Sequence, residues 1–408
     1  MTFKLNRRRF VSRLIKRIFL LLLVVIFGVI LFNYDTFYRL IHRGESYTYT
    51  QANCDLGSDN KYTLQDGRFQ EVIVEARDSI LKLKKTYNIP GLSICVSIQG
   101  EIIWNQGFGC SDIENNRPVT NETLFRIGSI SKSMTAIGVL KLVQDGKIDL
   151  NQNVSHYYSQ FPKKEYTIPV KYLASHQSGI RHYNGFEMLS NKHYSSVKES
   201  LEPFVNDQLL FEPGTNYKYS TYNYVLLSRL IETITSSNYI NFMSQEVFLP
   251  LQMLSTFPEK KSDSIMGYSS GINSTKIKNA IEVDLSNKYA GGGYISTAKD
   301  LVLMMQNLDS LLSKESQSKL FEIQKFKNGD DTASDYALGF RNTYLSNTGR
   351  TLIHHGGSSI GGRAFLLKLV EDDIVVAICA NSDTGILRPQ NFDLQEVYDI
   401  SKLFLIND

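Results

Sequence analysis

The sequence predicts an α/β (α+β) fold: an antiparallel sheet built from both chain ends and flanked by helices, with an inserted helical subdomain and one N-terminal transmembrane helix. Three observations predict it. Apolar runs typical of strands occupy residues 92–104 and return in residues 351–378. The intervening residues 129–289 show mostly helical patterns interrupted by Pro-Gly turns. Near the start of the chain, residues 18–32 form an uncharged apolar run.

The 408-residue chain has 42% hydrophobic and 21% charged residues, which is typical of a folded protein and excludes a disordered one. Its charge is unevenly distributed. Residues 1–17 contain seven Lys or Arg and no acid, so they carry +7. Because the net charge of the whole chain is +3, the remaining residues carry −4. A mildly acidic body argues against a nucleic-acid partner, which would require a basic surface.

The apolar run after the basic residues predicts an uncleaved signal anchor. No charge lies between Arg17 and Asp35, and residues 18–34 would span roughly 25 Å as a helix. A cleaved signal peptide is the alternative, although residues 32–35 (FNYD) lack the small residues that signal peptidase requires. A buried core helix is a third interpretation. By the positive-inside rule, we expect a single-pass membrane protein with residues 35–408 on the periplasmic, extracytoplasmic side.

The chain divides into three predicted parts. Residues 1–34 form a cytoplasmic basic tail and the transmembrane signal anchor. Residues 35–65 form a tether that is rich in Tyr, Thr, Ser and Asn and has no periodicity. Residues 66–408 form the main domain, whose strands come from both ends and whose helices come from the middle.

The elements of the main domain follow from periodicity and turn residues. Apolar residues at helical spacing predict helices, and apolar runs bounded by Gly, Asn or Asp predict strands. The predicted helices are 69–83, 129–144, 224–234, 300–312 and 394–403, and the predicted strands are 92–98, 101–104, 351–353, 364–369 and 374–378. Gln99-Gly100 and Asp372-Asp373 are predicted as hairpin turns.

The four cysteines fall into two pairs of different surroundings. Cys95 and Cys379 lie in strand-like apolar runs, where we expect buried free thiols. Cys54 and Cys110 lie in polar surroundings and could pair in an oxidising compartment, a question that their spacing leaves open. Because the chain has no CxxC, we expect no cysteine metal site.

Ser129 and Lys132 form a candidate catalytic pair. In a Ser-x-x-Lys tetrad that opens a helix, one turn separates the two side chains, so the lysine reaches the serine oxygen. The tetrad occurs five more times, but only here does it follow a strand-like segment and open a helix too apolar for the surface. Burial would lower the pKa of Lys132 and allow it to act as a base. The alternative is that Ser129 only caps the helix and Lys132 reaches solvent.

Two further segments contain candidate residues. Tyr219 follows the Pro213-Gly214 turn and precedes an apolar helix, so its phenol can point inward and act beside a lysine, whose ammonium favours the phenolate. Residues 354–357 (HHGG) follow a predicted strand, where glycines permit close approach of a substrate and an amide could complete an oxyanion hole. A purely structural role is the alternative for each. Adjacent histidines of a strand point to opposite faces, and no HExxH occurs, so we expect no metal site.

Five blocks in sequence order resemble the serine β-lactamase-related family, which includes class C β-lactamases, D,D-peptidases and esterases. They are 125–132 (FRIGSISK), 173–180 (LASHQSGI), 213–214 (PG) with 219–220 (YS), 290–293 (AGGG) with 296–300 (STAKD), and His354-x-Gly356-Gly357. The block 178–183 (SGIRHY) is particularly similar to the mitochondrial serine β-lactamase-like proteins. The resemblance covers about residues 70–405 and implies a β-lactamase/transpeptidase-like fold of the kind found in penicillin-binding proteins.

The resemblance also implies a role for each matching residue. Ser129 would be the nucleophile that forms an acyl-enzyme, and Lys132 would take its proton. Tyr219 matches the tyrosine that is the acid/base partner of the lysine. His354 falls where class C enzymes have the Lys of Lys-Thr-Gly and many esterase-like relatives have His. The amides of Ser129 and Gly357 would form the oxyanion hole.

The chain departs from the family pattern in one motif. Where the family has Tyr-x-Asn, this sequence reads Tyr219-Ser220-Thr221, so Thr221 stands in place of the amide that usually contacts the acyl side chain of the substrate. Together with His354 in place of Lys, this weakens the case for β-lactam hydrolysis. Gly356 and Gly357 keep the family's glycine pattern beside that histidine.

We therefore expect a membrane-anchored serine hydrolase that cleaves an ester or amide through an acyl-enzyme on Ser129. A general esterase or peptidase comes first, a D,D-peptidase acting on peptidoglycan second, and a β-lactamase third. A catalytically weakened binding or assembly module of the same fold is the main alternative, and a metal-dependent hydrolase is a further one. No cofactor is expected. The expected partners are a small-molecule or peptide acyl substrate and the membrane, and association of the chain with itself is left open.

Overall fold

The computed structural model describes residues 2–44, 46–48, 50, 54, 67–260, 263, 265–270, 276–332, 334–383 and 393–405. Its α-helices are α1 Thr2–Phe32, α2 Tyr34–Ile41, α3 Gln70–Thr86, α4 Ile130–Gln144, α5 Val154–Tyr157, α6 Val170–Ala174, α7 Val197–Ser200, α8 Thr221–Thr235, α9 Tyr239–Phe242, α10 Tyr289–Gly292, α11 Ala298–Gln306, α12 Lys314–Phe321 and α13 Leu394–Lys402.

The strands in the same residues are β1 Ser46–Thr48, β2 Gly91–Ile98, β3 Glu101–Asp112, β4 Arg117–Pro118, β5 Phe125–Arg126, β6 Phe257–Pro258, β7 Tyr268–Ser270, β8 Lys276–Asn279, β9 Tyr294–Ser296, β10 Arg341–Leu345, β11 Arg350–Ser359, β12 Gly362–Leu369, β13 Ile374–Ala380 and β14 Ser382–Asp383. The main sheet has the order β10-β11-β12-β13-β2-β3-β4 and is antiparallel throughout. Strands from the two ends meet where β13 pairs with β2, which confirms the predicted architecture.

Both predicted hairpins form around the predicted turns. Gln99 and Gly100 have φ values of 50° and 83°, and Asp373 has a φ of 48°. These left-handed conformations suit the tight turns that connect antiparallel strands. The strands are longer than predicted, especially β3 and β11, because they continue through Gly- and Ser-containing residues that do not look strand-like in sequence. The helix predicted at 300–312 ends as α-helix at Gln306.

The two faces of the main sheet bury different halves of the core. Strand residues such as Cys95 and Ala377 pack with the helical subdomain on one face. Their neighbours in the strands, such as Ile94 and Val376, pack on the other face with apolar residues of α3 and α13. This division follows from the alternation of side chains along a strand. Cys95 and Cys379 are buried free thiols, as predicted.

Helix α4 is the central helix of the subdomain face. Its residues are buried from Ile130 to Leu140, and it contacts α8, α10 and α12. A helix that is buried on every side is hydrophobic all round, which explains the absence of an amphipathic pattern in its sequence. The catalytic candidates at its N-terminus are therefore held by a rigid, fully packed element.

The segment predicted as a tether is partly structured where it is described. Helix α2 packs on the main domain, and β1 pairs antiparallel with β8. A disulfide joins Cys54 to Cys110 of β3, so the pairing that the sequence left open is present in the structure. The described part of the predicted tether thus contains a short helix and an edge strand, which its polar, Tyr-rich sequence does not predict.

Among the described residues, one helix is long and apolar enough to cross a membrane. Its apolar window, Leu14–Leu31 in α1, has a mean hydropathy of 2.8 and is not buried against the rest of the protein. This agrees with the predicted N-terminal apolar helix, and the same length and composition also fit a signal sequence.

Candidate active site

The predicted nucleophile and base lie next to each other at the start of α4. Ser129 is the residue that precedes the helix, and Lys132 lies one turn further on. The ammonium nitrogen of Lys132 lies 3.0 Å from the hydroxyl oxygen of Ser129. It also donates a hydrogen bond to the carbonyl oxygen of Gly291, in α10. These two partners fix the lysine head group against the serine.

Lys132 is completely buried, and its pKa lies well below the usual value for a lysine. Desolvation is the main cause, and the positive charge of Lys288 is the second. A neutral amine has one lone pair and two N–H groups. One N–H can donate to Gly291 while the lone pair accepts the proton of the Ser129 hydroxyl, which is the arrangement required of a general base.

Tyr219 lies close to both Ser129 and Lys132. The ring centroid of Tyr219 is 4.8 Å from the Lys132 nitrogen, and its phenol hydrogen-bonds to Ser129. Burial raises the pKa of Tyr219 despite that hydrogen bond. A nearby ammonium would favour the phenolate, as expected from the sequence, but in the structure desolvation is the largest influence on the pKa of Tyr219. The phenol of Tyr219 is therefore protonated at pH 7.

His176 holds the backbone on which Tyr219 sits. Its ring centroid is 4.2 Å from that of Tyr219 and 4.7 Å from that of Tyr336. Its Nδ1 accepts hydrogen bonds from the backbone N–H of Ser220 and from the side-chain amide of Asn223, both at 3.2 Å. Desolvation keeps the pKa of His176 well below its usual value, so the imidazole is neutral. His176 therefore contacts Tyr219 as a neutral ring.

Thr221, the residue in the place of the family asparagine, lies in a cavity beside Ser129. Its backbone N–H donates to Nδ1 of His182 at 3.2 Å, and its hydroxyl hydrogen-bonds to the phenol of Tyr183. Burial lowers the pKa of His182 to about 4. The site therefore has a neutral, aromatic wall where family members offer an amide.

The two histidines of β11 point to different partners. His354 Nε2 is 3.0 Å from the hydroxyl of Thr343 in β10, and its ring stacks on Phe365. His355 Nε2 is 3.0 Å from the phenol of Tyr336, the residue that packs against His176 and Tyr219. Burial lowers the pKa of His354 to about 4 and that of His355 to about 3. Both are neutral at pH 7, so neither supplies the positive charge of a lysine.

From the sequence, His354 was assigned to the substrate site by resemblance, whereas His355 was considered only as a possible metal ligand. The alternation of a strand shows that adjacent side chains diverge, but it does not show which one faces the site. In the structure, His355 contacts Tyr336, which packs against Tyr219 beside Ser129. Both histidines also line a cavity that contains Ser129.

Gly356 and Gly357 differ in their surroundings. A Cβ atom on Gly357 would lie 1.8 Å from the carbonyl oxygen of Ile127 and 3.2 Å from the amide nitrogen of Ser129. A Cβ on Gly356 would meet only the ring of Phe365, at 3.2 Å. Gly357 therefore allows β11 to approach the start of α4. The next residue, Ser358, lies against the backbone of Gly128 and was not singled out from the sequence.

Two cavities meet at Ser129. One, of about 350 Å³, extends past His182, Met188 and Lys288. The other, of about 640 Å³, extends past the two histidines of β11 toward the start of α13. Ser129, Tyr219 and Ser358 line both cavities. Ser129 therefore lies between two cavities.

Lys288 is a second buried lysine at the site, and it was not singled out from the sequence. It is 7% exposed, it lines the smaller cavity, and its nitrogen donates to the carbonyl of Met188 at 3.2 Å. Desolvation lowers its pKa to about 8. The only indication in the sequence is that Lys288 lies two residues before the segment 290–293 (AGGG), which contains Gly291.

Comparison with known proteins agrees with this geometry. The Beta-lactamase family model matches residues 72–396. The human mitochondrial serine beta-lactamase-like protein LACTB is 29% identical over 401 residues, which cover 74% of this chain and 73% of that protein. Penicillin-binding protein 4* of Bacillus subtilis strain 168 is 28% identical over 278 residues, which cover 63% of this chain and 61% of that protein. The chain thus spans about three-fifths of the Bacillus relative.

Solved structures share the fold. The octameric penicillin-binding protein homologue from Pyrococcus abyssi superposes with a TM-score of 0.66 at 24% identity, over 77% of this chain and 74% of that chain. At this level of identity the likeness concerns the fold. Because the family model covers most of the sequence, and the same residues form the serine-lysine site, the chain belongs to the beta-lactamase family of serine hydrolase-like proteins.

Proposed function

We propose that this protein is a membrane-anchored serine hydrolase that cleaves an ester or amide through an acyl-enzyme on Ser129. The observation that carries the proposal is the 3.0 Å contact between the hydroxyl of Ser129 and the buried amine of Lys132. A lysine without exposure to water and with a strongly lowered pKa can accept the serine proton at neutral pH. A helix-capping serine beside a solvent-exposed lysine would not have this property.

The first half of the reaction acylates the serine. Lys132 takes the proton of the Ser129 hydroxyl as the oxygen attacks the substrate carbonyl carbon. The backbone amides of Ser129 and of the Gly357–Ser358 segment stabilise the oxyanion. Tyr219 donates its proton to the leaving group as the bond to the carbonyl carbon breaks, and the proton on Lys132 returns to Tyr219. The products are the acyl-enzyme and the protonated leaving group.

The second half hydrolyses the acyl-enzyme. Lys132, again neutral, takes a proton from a water molecule that attacks the ester carbonyl. The same amides stabilise the second oxyanion, and the serine oxygen leaves with the proton held by the lysine. The carboxylic acid product and free Ser129 result, so atoms and charge balance over the cycle. His176 and His355 keep the tyrosines in place and exchange no proton with substrate.

An esterase- or peptidase-like activity fits the site best. His354 and His355 are neutral, and Thr221 replaces the family asparagine, so neither histidine supplies the charge of the family lysine. The cations that line the same cavity are Arg341, which is ion-paired with Asp335, and Arg363. A D,D-peptidase or β-lactamase is the second candidate, favoured by the similarity to a penicillin-binding protein. The disulfide between Cys54 and Cys110 supports a main domain on the oxidising, extracytoplasmic side of the membrane.

Active-site labelling tests the proposal. The full chain, in detergent, is treated with a fluorophosphonate or with penicillin, and the adducts are mapped by mass spectrometry. Ser129→Ala is the test variant. Ser195→Ala is a matched control, because Ser195 opens another Ser-x-x-Lys tetrad but is exposed. We expect a fluorophosphonate adduct on Ser129 in the wild type and in Ser195→Ala, and none in Ser129→Ala.

The two reagents separate the alternatives. A long-lived penicilloyl adduct on Ser129 would favour the D,D-peptidase branch, and its absence alongside a fluorophosphonate adduct would favour an esterase-like enzyme. If a folded sample gives no adduct with either reagent, the proposal is wrong, and the chain is better described as a binding or assembly module of the same fold.

A further inference from the structure

Helix α2 connects the apolar helix α1 directly to the main domain. Asn33 alone separates the two helices, and its backbone continues the hydrogen bonding: its N–H donates to Val29 at 3.1 Å, and its carbonyl accepts from Phe37 at 3.0 Å. Any membrane spanned by α1 must therefore end close to the first residue of α2. The position of α2 on the main domain then fixes which side of that domain faces the lipid.

One face of α2 is packed against the main domain. The ring of Phe37 meets the ring of Phe186 edge-on, at a centroid distance of 5.6 Å. Arg39 donates to the carbonyl of Leu189 at 3.0 Å and to the carbonyl of Glu282. Its side chain is only 11% exposed. The helix is therefore docked by both an aromatic contact and a buried cation that satisfies two loop carbonyls.

The opposite face of α2 carries exposed apolar side chains. Tyr34, Tyr38 and Ile41 are 61%, 49% and 72% exposed, and their spacing of four and three residues puts them on one side of the helix. The two tyrosine rings lie 6.1 Å apart. Tyrosine is enriched at the boundary between hydrocarbon and water, where its ring and hydroxyl each find a suitable environment. An amphipathic helix whose exposed face is apolar is typical of segments that lie in the membrane surface.

The docking site of α2 is next to the smaller cavity at Ser129. Leu40 of α2 packs against an apolar cluster that includes Leu189 and Ile360, with Met188 at its edge. Met188 and Ile360 also line the cavity that contains Ser129. The apolar cluster on which α2 packs therefore contributes two side chains to the lining of this cavity.

We propose that Tyr34, Tyr38 and Ile41 of α2 lie in the headgroup layer of the membrane that α1 spans, and that α2 thereby holds the Ser129 cavity at the lipid surface. The substrate class that this arrangement serves is an ester or amide amphiphile whose acyl chain is embedded in that same bilayer. This substrate class rests on the proposed hydrolase function, whereas the position of α2 in the headgroup layer does not.

Quenching of tryptophan fluorescence tests the position of α2 in the lipid and does not depend on catalysis. Trp104 is the only tryptophan in the chain and is buried, so the wild type gives the background signal. Full-length protein carrying Tyr38→Trp is reconstituted in phosphatidylcholine vesicles with and without brominated acyl chains. We expect the brominated lipid to quench the additional emission of Tyr38→Trp. Val74→Trp, on the exposed side of α3, is the matched control and should not be quenched.

A comparison of a soluble and a membrane-embedded ester tests the proposed substrate class. The wild type and the variants hydrolyse 4-nitrophenyl butyrate in solution and 4-methylumbelliferyl palmitate dissolved in the vesicles. Tyr34→Ser/Tyr38→Ser/Ile41→Ser removes the outward face of α2, and Arg39→Ala weakens its docking. We expect each to lower the ratio of vesicle activity to solution activity by about tenfold, because the cavity is then no longer held at the bilayer that contains the palmitate ester. Val74→Ser/Leu81→Ser, an exposed apolar pair on α3, should leave the ratio unchanged.

The outcomes separate this inference from the proposed function. If Tyr38→Trp is not quenched, or is quenched no more than Val74→Trp, α2 does not lie in the lipid and the inference is wrong. If quenching is as expected but the triple variant keeps the wild-type activity ratio, the substrate class is wrong. If the wild type hydrolyses neither ester and gives no fluorophosphonate adduct on Ser129 while Tyr38→Trp is quenched, the hydrolase proposal fails and the membrane position stands.

Discussion

The positive charge of Lys288 acts on Lys132: it is the second cause, after desolvation, of the low pKa of the Lys132 amine. Both side chains are buried. Two ammonium groups in one poorly solvated region disfavour each other, and the one that loses its proton first becomes a base. Desolvation, and after it the charge of Arg126, lower the pKa of Lys288 to about 8, while the charges of Glu259 and Asp284 oppose the shift. This asymmetry supports the proposed role of Lys132 as the base.

The first prediction concerns the pH dependence of acylation. Only neutral Lys132 accepts the serine proton, so the labelling rate falls as the pH drops below the pKa of Lys132. Lys288→Met removes the positive charge that lowers this pKa. The pKa of Lys132 then rises, and the acid limb of the profile moves to higher pH. Because Lys288 is itself neutral well above pH 8, the two profiles should converge there.

The measurement is the rate constant of fluorophosphonate labelling of Ser129 between pH 4 and pH 9. Lys218→Met is the control, because Lys218 is exposed and belongs to the same loop as Tyr219. Its removal should leave the acid limb in place. A profile of Lys288→Met that superposes on the wild type would show that the charge of Lys288 does not set the basicity of Lys132.

The second prediction concerns the proton donor. Burial keeps Tyr219 protonated, so Tyr219→Phe removes the proton supplied to the leaving group. We expect kcat/KM to fall by about 10²- to 10⁴-fold, the usual contribution of a general acid. The loss should grow as the leaving group becomes more basic, since a good leaving group needs no proton.

A series of phenyl and alkyl esters with one acyl group provides the measurement. Tyr217→Phe is the control: its ring also packs beside His176, at 6.1 Å, but the residue does not line either cavity at Ser129. A loss in Tyr219→Phe that is the same for every leaving group would contradict the role as proton donor and would leave Tyr219 only a positioning role.

The main sheet could be predicted because its signals are local. The turn at Gln99-Gly100 and the β-branched run that becomes β13 are sufficient to predict hairpins. The contact between Ser129 and Lys132 is also local, since helix geometry determines it. Tyr219, 90 residues away in the sequence, was assigned by its resemblance to a family motif, and the structure brings it to the same serine.

The rest of the site depends on tertiary contacts that no local pattern encodes. The face of β11 that is turned toward α4 determines whether His354 or His355 contacts Tyr336. Lys288 becomes a functional candidate only through burial, and an isolated lysine in a sequence gives no sign of that. Helix α2 was overlooked because eight residues with two tyrosines are too short to give a reliable helical period.

The third prediction concerns the disulfide. The Cys54–Cys110 bond closes a loop of 56 residues, which restricts the unfolded chain. Cys54→Ala should therefore lower the free energy of unfolding by about 2–4 kcal/mol. Because neither cysteine lines a cavity at Ser129, the labelling rate of Ser129 in the folded variant should equal that of the wild type.

Denaturant unfolding with and without dithiothreitol provides the measurement. Reductant should bring the wild type to the stability of Cys54→Ala and should not change the variant, because Cys95 and Cys379 are free thiols. Wild-type stability that is insensitive to reductant after the bond is shown to be cleaved would refute the stabilising role.

The fourth prediction uses two neighbouring glycines of β11. A Cβ on Gly357 would overlap the carbonyl oxygen of Ile127 and press on the amide of Ser129, so β11 and the start of α4 would have to separate. Gly357→Ala should lower the free energy of unfolding by about 1–3 kcal/mol. Separation also displaces the amides proposed to hold the oxyanion, so acylation of Ser129 should fall by about 10²-fold or more.

Gly356→Ala is the matched control, because its Cβ would meet only the ring of Phe365, which can shift by a few tenths of an ångström. It should retain most of the stability and most of the activity. The measurements are thermal unfolding and the rate of acylation by a 4-nitrophenyl ester, on both variants under conditions where each is folded. If folded Gly357→Ala acylates as fast as Gly356→Ala, the close approach of β11 to α4 serves packing alone, and the oxyanion must be stabilised by groups other than the Gly357–Ser358 backbone.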